Sequence, residues 1–231
     1  MKFDTRDLLF VLDIQKWQAL QDALAIVTGM SIVTVDYKGS PITQHSSCSE
    51  FCKHVRALPD LSMECQKCDS RGGLEATRLR EPYIYLCHAN ILDAAVPIIV
   101  NNNYLGAIMI GQALVAKESD AAKLEVLCTP SRQKLEQQLG SDMYLMDLLP
   151  KLSLDRVKTI VDMLFHLCSY IVEEAIEKNL ALDICADVLN PNRSQSDLSD
   201  FRMRNLENIK RKLNNAIIDV HITQDTARGE K

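Results

Sequence analysis

An α+β fold, with helices flanking a mostly antiparallel sheet of about five strands, follows from three features of the sequence. Apolar residues recur at helical spacing at both ends of the folded region, from about Asp13 to Met30 and again over residues 153–178. Between them lie three β-rich runs, residues 82–88, 93–100 and 104–115. Turn chemistry separates these runs, so neighbouring strands are joined by short hairpins.

In the first helical stretch Trp17, Leu20, Leu24 and Val27 define the expected buried stripe, with Asp13 as N-cap and Gly29 as the stop. The β-branched run 31–37, the turn Lys38-Gly39-Ser40-Pro41 and the extended Ile42-Thr43 predict a β-hairpin. Residues 49–80 have helical composition, interrupted by Pro59 and by Gly72-Gly73, which predicts two or three short helices. Asn101-Asn102-Asn103 tolerates the left-handed backbone of a tight turn. Gly106 and Gly111 lie inside the last strand run, where a missing side chain marks a bulge or a close approach.

The helix over 153–178 carries a wide apolar stripe of Val157, Ile160, Val161, Leu164, Leu167, Cys168 and Ile171. A Ser- and Pro-containing segment then precedes a last amphipathic helix. The organisation read from this pattern is a sensory-size domain over 1–185, a linker over 186–199 and a signalling or dimerisation helix over 200–231. Together the elements predict a PAS- or GAF-like architecture with a helical C-terminal extension.

With 47% hydrophobic and 25% charged residues among 231, the chain has ordinary globular composition. Its net charge of -5 offers no general footprint for nucleic-acid phosphates. Asp4, Arg6, Asp7 and Asp13 interrupt the N-terminal apolar residues, which argues against a signal peptide. No apolar run approaches the roughly 18 residues of a membrane span. The expectation is a cytoplasmic protein with no membrane segment and no direct nucleic-acid contact.

Eight cysteines in a reducing compartment point to metal ligands, reactive thiols or core packing rather than disulfides. Cys48 and Cys52 are four apart and Cys65 and Cys68 three apart, so on helical backbone each pair shares a face. Such pairs suit zinc, whereas neither ferredoxin spacing is matched, which disfavours an iron–sulfur cluster. Reduced cysteines packed as small hydrophobes are the alternative, and Cys128, Cys168 and Cys185 fit it. Cys87-His88 resembles a nucleophile and its base, but neighbours on a strand point to opposite faces. His45, His54 and His221 read as exposed, and His166 as structural. No G-x-S-x-G, P-loop, G-x-G-x-x-G or H-E-x-x-H is present, so the chain reads as a non-enzyme.

The ordered run Phe51-Cys52, Cys65-Gln66-Lys67-Cys68-Asp69, Gly73, Tyr83-Ile84-Tyr85-Leu86-Cys87-His88-Ala89, Val96-Pro97-Ile98, Tyr104-Leu105-Gly106 and Gly111-Gln112 strongly resembles the PocR-type sensory domain, over about residues 10–180. Asn90 departs from the family's usual glycine after Cys-His-Ala, and Asn102 stands near a turn that usually contains glycine. The resemblance implies a bacterial sensor of simple hydrocarbon derivatives such as a diol, coupled to an AraC-type DNA-binding or histidine kinase output. Carried over position by position, it makes Cys52, Cys65, Cys68 and Cys87 the preferred metal or pocket set, with Cys48 as an extra. Phe51, Tyr85, Cys87, His88, Asp93 and Gln112 are the expected ligand-binding residues, and the C-terminal helices the expected homodimer contact. A cysteine-based zinc, iron–sulfur or redox sensor is the alternative function.

Overall fold

The structure, a computed structural model, describes residues 8, 11–100, 102–129 and 132–189, with side chains up to residue 178. The chain forms two compact units, Met1–Val172 and Glu173–Lys231, and the sheet lies in the first. Helix α1 (Ile14–Thr28) begins where expected, the Asp13 side chain accepting from the Lys16 amide, and ends at Gly29 with φ 70°.

The buried face of α1 is not the expected apolar stripe. Trp17, Gln21, Ala25 and Thr28 are buried, while Val27 is 78% exposed. Hydrogen bonds set this rotation. Trp17 Nε1 donates to Thr34 Oγ1 at 2.7 Å. Gln21 Nε2 donates to the Ile32 carbonyl and Ser46 Oγ, and its Oε1 accepts from the hydroxyls of Thr34 and Thr43. A fully satisfied buried polar network outweighs the modest gain from turning two aliphatic side chains inward.

Strands β1 (Ser31–Asp36), β2 (Tyr83–Leu86), β3 (Leu92–Val100) and β4 (Asn103–Val115) pair antiparallel in the order β1-β4-β3-β2. The two-residue β5 (Lys151–Leu152) adds in parallel to the end of β4, giving five strands. The chain returns from β1 as the hairpin reading anticipates, but irregularly, through single bridges at Val35–Pro41 and Ile32–Ser46. Asp36 Oδ1 accepts from the amides of Lys38 and Ser40 and holds that turn closed.

Both departures from the glycine pattern have a conformational reason. Asn90 has φ 60° and Asn102 φ 63°, and asparagine is the residue that best replaces glycine in the left-handed region. Asn90 is exposed, in the turn that follows β2.

Residues 50–79 form two helices, α2 (Glu50–Ala57) and α3 (Pro59–Leu79), with Pro59 opening the second. Contrary to the expectation from composition, Gly72-Gly73 does not break α3. A Cβ on Gly72 would stand 2.5 Å from Tyr85 Cε1, and one on Gly73 would meet the Tyr104 hydroxyl. Glycine is therefore used for close approach, and the helix crosses the sheet tightly over two tyrosines.

Alternating sheet residues separate two layers. Val33, Val35, Tyr85, Ala95, Ala107 and Met109 pack with Cys68 and Ala76 of α3, while Thr34 faces α1. A short helix α4 (Glu118–Ala121), helix α5 (Arg132–Leu139) and a 3-10 segment (Gly140–Leu148) follow. Helix α6 (Leu154–Leu189) buries Val157, Val161, Leu164, Cys168 and Val172, close to the expected stripe. It continues past the expected end at 178, so the first residues of the expected 186–199 linker are helical. Residues 190–231, including the helix expected over 200–231, lie outside the described residues. No described helix is long and apolar enough to cross a membrane.

Gly72→Ala is expected to lower stability by about 1–3 kcal/mol, the usual cost of overpacking. Urea denaturation compared with the wild type checks it.

Candidate functional site

A register shift between Leu92 and Asp93 inserts Gln112 as a bulge residue in β4, with φ 65°. Bulges re-aim side chains, and here Gln112 Oε1 accepts from the Ser49 amide at 2.7 Å while its Nε2 donates to Cys48 Sγ at 3.5 Å. Ser49 is itself the N-cap of α2, accepting from the Cys52 amide. The bulge thus ties the sheet to the start of α2, and Cys48 lies before that helix rather than on it, contrary to the shared-face reading of Cys48 and Cys52. Beside the bulge, Asp93 occupies the space a Gly111 side chain would need, which accounts for that glycine.

Below the bulge, between α2, α3 and the sheet, Cys52, Cys65, Cys87 and Asp93 lie close enough to act on one another electrostatically. The three cysteines pack against the apolar cluster of Phe51, Val55 and Leu61, and all four side chains are only half-buried. We infer a small recess at this place from that residual exposure. Arg56 of α2 spans the recess and pairs with Asp69 of α3 at 2.9 Å, the carboxylate side chain being 2% exposed. Neither Arg56 nor Asp69 was among the residues singled out from sequence. Asp69 stands inside the Cys65–Asp69 motif, which was the available signal, whereas Arg56 carries none.

The electrostatics follow from burial. Burial opposes the charge on Arg56, but Asp69, Cys65 and Asp93 outweigh it and raise its pKa. Burial, together with the Asp69 carboxylate, pushes the Asp93 carboxyl well above its usual range. Burial raises Asp69 as well, but its ion pair with Arg56 opposes the shift, whereas Asp93 has no ion pair of its own among the described residues. Among the described residues its Oδ1 accepts from the adjacent Ala94 amide alone, at 3.0 Å. Burial raises the Cys87 thiol to about 12 and pushes Cys52 and Cys65 upward, so these sulfurs are neutral thiols and poor nucleophiles.

The expected ligand residues divide. Asp93 and Cys87 border the recess. Gln112 orients its rim. Tyr85 is fully buried, its hydroxyl donating to the Cys68 carbonyl at 3.3 Å. Phe51 is 1% exposed within an apolar cluster. Strand β2 ends at Leu86, so Cys87 and His88 lie in a turn closed by the Asn90 amide on the Cys87 carbonyl. His88 is buried, with Nε2 3.2 Å from Cys65 Sγ and Nδ1 unpartnered. His45 is half-buried rather than exposed, and its unpartnered Nε2 lies in the interior. His166 is exposed, not structural.

Among the described residues no group of three or more His, Cys, Asp or Glu side chains is arranged to hold a metal ion. Cys68 Sγ accepts from the His88 amide at 3.4 Å and lies close to Cys128 and Cys87. The seven described cysteines are free thiols.

An antiparallel sheet sandwiched by helices, with a polar recess at one end, is the build of a PAS- or GAF-like sensory domain. Family comparison agrees and is more specific: the sensory domain found in PocR matches residues 11–176, and the chain belongs to that family. The regulatory protein PocR of Salmonella typhimurium strain LT2 is 28% identical over 201 residues, 87% of this chain and 62% of its own length. The chain therefore spans less than two thirds of that curated relative. No solved structure matches.

Asp69→Ala leaves Arg56 buried without its partner and is expected to cost about 3–5 kcal/mol, read by chemical denaturation. Burial, reinforced by Arg56, lowers His45 to about 4. Below pH 6.5 the unfolded chain takes up a proton that the folded chain refuses until about pH 4. Stability is thus full above pH 6.5 and falls through that window, by up to about 1.4 kcal/mol per pH unit for this group. His45→Gln should flatten the slope of stability against pH between 6.5 and 5.

Proposed function

We propose that this chain is the ligand-receiving domain of a bacterial regulator, which binds a small uncharged hydrocarbon derivative bearing hydroxyls, a short diol or similar, in the recess between α2, α3 and the sheet. It passes the result to a transcriptional or kinase output, and it is not an enzyme. The observation that carries this reading is the pairing of Arg56 with Asp69 at 2.9 Å. It leaves Asp93 without a counter-ion among the described residues, and burial shifts that carboxyl toward its neutral form. A charged ligand would meet no unmatched counter-ion there, whereas a hydroxyl finds a partner.

Unspent hydrogen-bonding capacity supports the same conclusion. Among the described residues Asp93 is bonded only to its neighbour's amide, and His45 Nε2, beside Arg56, has no partner. Leaving a buried polar group unpaired costs about 1–3 kcal/mol, so a hydroxyl that completes these bonds gains affinity out of proportion to its small apolar area. The neutral thiols give the rest of the wall a weakly polar lining suited to short carbon chains. Ligand binding shifts a conformational equilibrium only by its differential affinity for the two states. Helix α6, which leads out of the sensory unit, offers the output route, and pairing of C-terminal helices in a homodimer would transmit it.

A thermal-shift panel of propanediol, ethanediol, glycerol and short monoalcohols tests the reading. A true ligand at 100 times its dissociation constant stabilises by about 2.7 kcal/mol. Asp93→Ala should abolish the shift, while Asp93→Asn, which resembles the protonated acid, should retain part of it. A melting temperature unmoved by every compound overturns the proposal.

A further inference from the structure

The chain is acidic overall, with a net charge of -5, yet one concave surface gathers cations. A cleft of about 500 Å³ opens between α3 and the start of α5 and is lined by Lys67, Arg71, Arg132 and Lys134, with Glu64 as its only carboxylate. A neighbouring hollow of about 340 Å³ shares Lys67 and Arg71 and adds Lys38. Nothing in the diol reading uses these groups, and the neutral recess does not require them.

The local bonding leaves cationic capacity unspent. Lys67 reaches Glu64 at 3.0 Å, and Arg132 is taken by Glu136 at 2.9 Å. Arg71 donates one Nη1 bond to the Leu127 carbonyl at 3.3 Å, which positions the guanidinium at the cleft wall without neutralising it. Among the described residues Lys134 makes no ion pair or hydrogen bond. Glu64 and Glu136 thus offset Lys67 and Arg132, which leaves Arg71 and Lys134 as cations without an ion pair among the described residues, in a concavity of small-molecule size.

We propose that this cleft is a second, anion-binding site that takes a small phosphate-bearing molecule. The excess of positive charge matches a group carrying two or more negative charges. The planar fork of Arg71 and the ammonium of Lys134 suit the several oxygens of a phosphoryl group, while a single carboxylate leaves most of the excess unmatched. The concave shape and limited volume fit a compact anion rather than an extended polyanion. Helix α3 carries both sites: Glu64, Lys67 and Arg71 lie on its cleft side, and Cys65 and Asp69 on its recess side. The helix is thus a shared wall between a neutral-ligand site and an anion site.

Isothermal titration of the full chain with inorganic phosphate, inorganic pyrophosphate, phenyl phosphate and succinate tests the site. Pyrophosphate is expected to bind with one site per chain. Lys134→Gln, whose side chain holds nothing else in place, should weaken it measurably. Arg71→Gln with Lys134→Gln should weaken it by about tenfold or more, since a hydrogen bond to a charged group contributes at about that level. Lys158→Gln, an exposed cation on α6, should leave affinity within about twofold, as screened distant charges do. Preference for phenyl phosphate over inorganic phosphate would assign an organic ester, and the reverse a free phosphate; both support the site. No binding of any phosphate at millimolar concentration, binding unchanged in the double variant, or succinate binding as tightly as pyrophosphate would each overturn it. The diol-induced thermal shift is independent of these outcomes, so failure of one reading leaves the other standing.

Discussion

The ion pair between Arg56 and Asp69 is the interaction on which the rest of the sensory unit depends. It joins α2 to α3 at 2.9 Å with the carboxylate almost wholly withdrawn from water. Such a pair adds little net stability compared with an apolar substitute, because both charges must be desolvated. Its consequence lies in what it forbids. With a guanidinium and a carboxylate already matched, a second carboxylate at Asp93 has no counter-ion left among the described residues, and burial shifts it toward the neutral acid. That balance of charge is what the proposed reading of the site rests on.

A single inserted residue gives the recess its rim. The bulge at Gln112 bends β4 where Asp93 and Gly111 face each other across strands, and the Gln112 side chain captures the amide of Ser49 just before α2 begins. Sheet and helix are therefore linked through one amide side chain. The polar network of Trp17, Gln21, Thr34, Thr43 and Ser46 acts in the same way on the other face, fixing the chain that returns from β1 and carries His45 towards Arg56. A ligand that alters the contacts of Asp93 acts beside these joints, and α2 and α3 are the elements placed to respond.

Much of the architecture was legible because local chemistry dictated it. Asp13 and Gly29 bound α1 through capping and a left-handed C-cap, and the asparagines at 90 and 102 occupy left-handed turn positions. Gly106 and Gly111 marked close approaches, by the Val35 carbonyl and by Asp93. The rotation of α1 was not legible, since hydrophobic period counts apolar residues and cannot weigh a buried glutamine that satisfies several partners at once. The unbroken course of α3 through Gly72-Gly73 was equally hidden, because the tyrosines that need those glycines come from β2 and β4. Of the expected ligand residues, Asp93 and Cys87 lie near Arg56 and Asp69, while Tyr85 and Phe51 are packed interior; Arg56 and His45 belong to no recognisable pattern along the chain.

By itself the sequence determined the element order, the turns, the family and the cysteine-bearing segments that contribute to the recess, all properties of short-range spacing and backbone preference. Only the tertiary structure decided the charge of that recess and which side chains border it. Those depend on desolvation and on residues such as Arg56, Asp69 and Asp93 meeting from separate elements, and no local pattern along the chain encodes the distance between them.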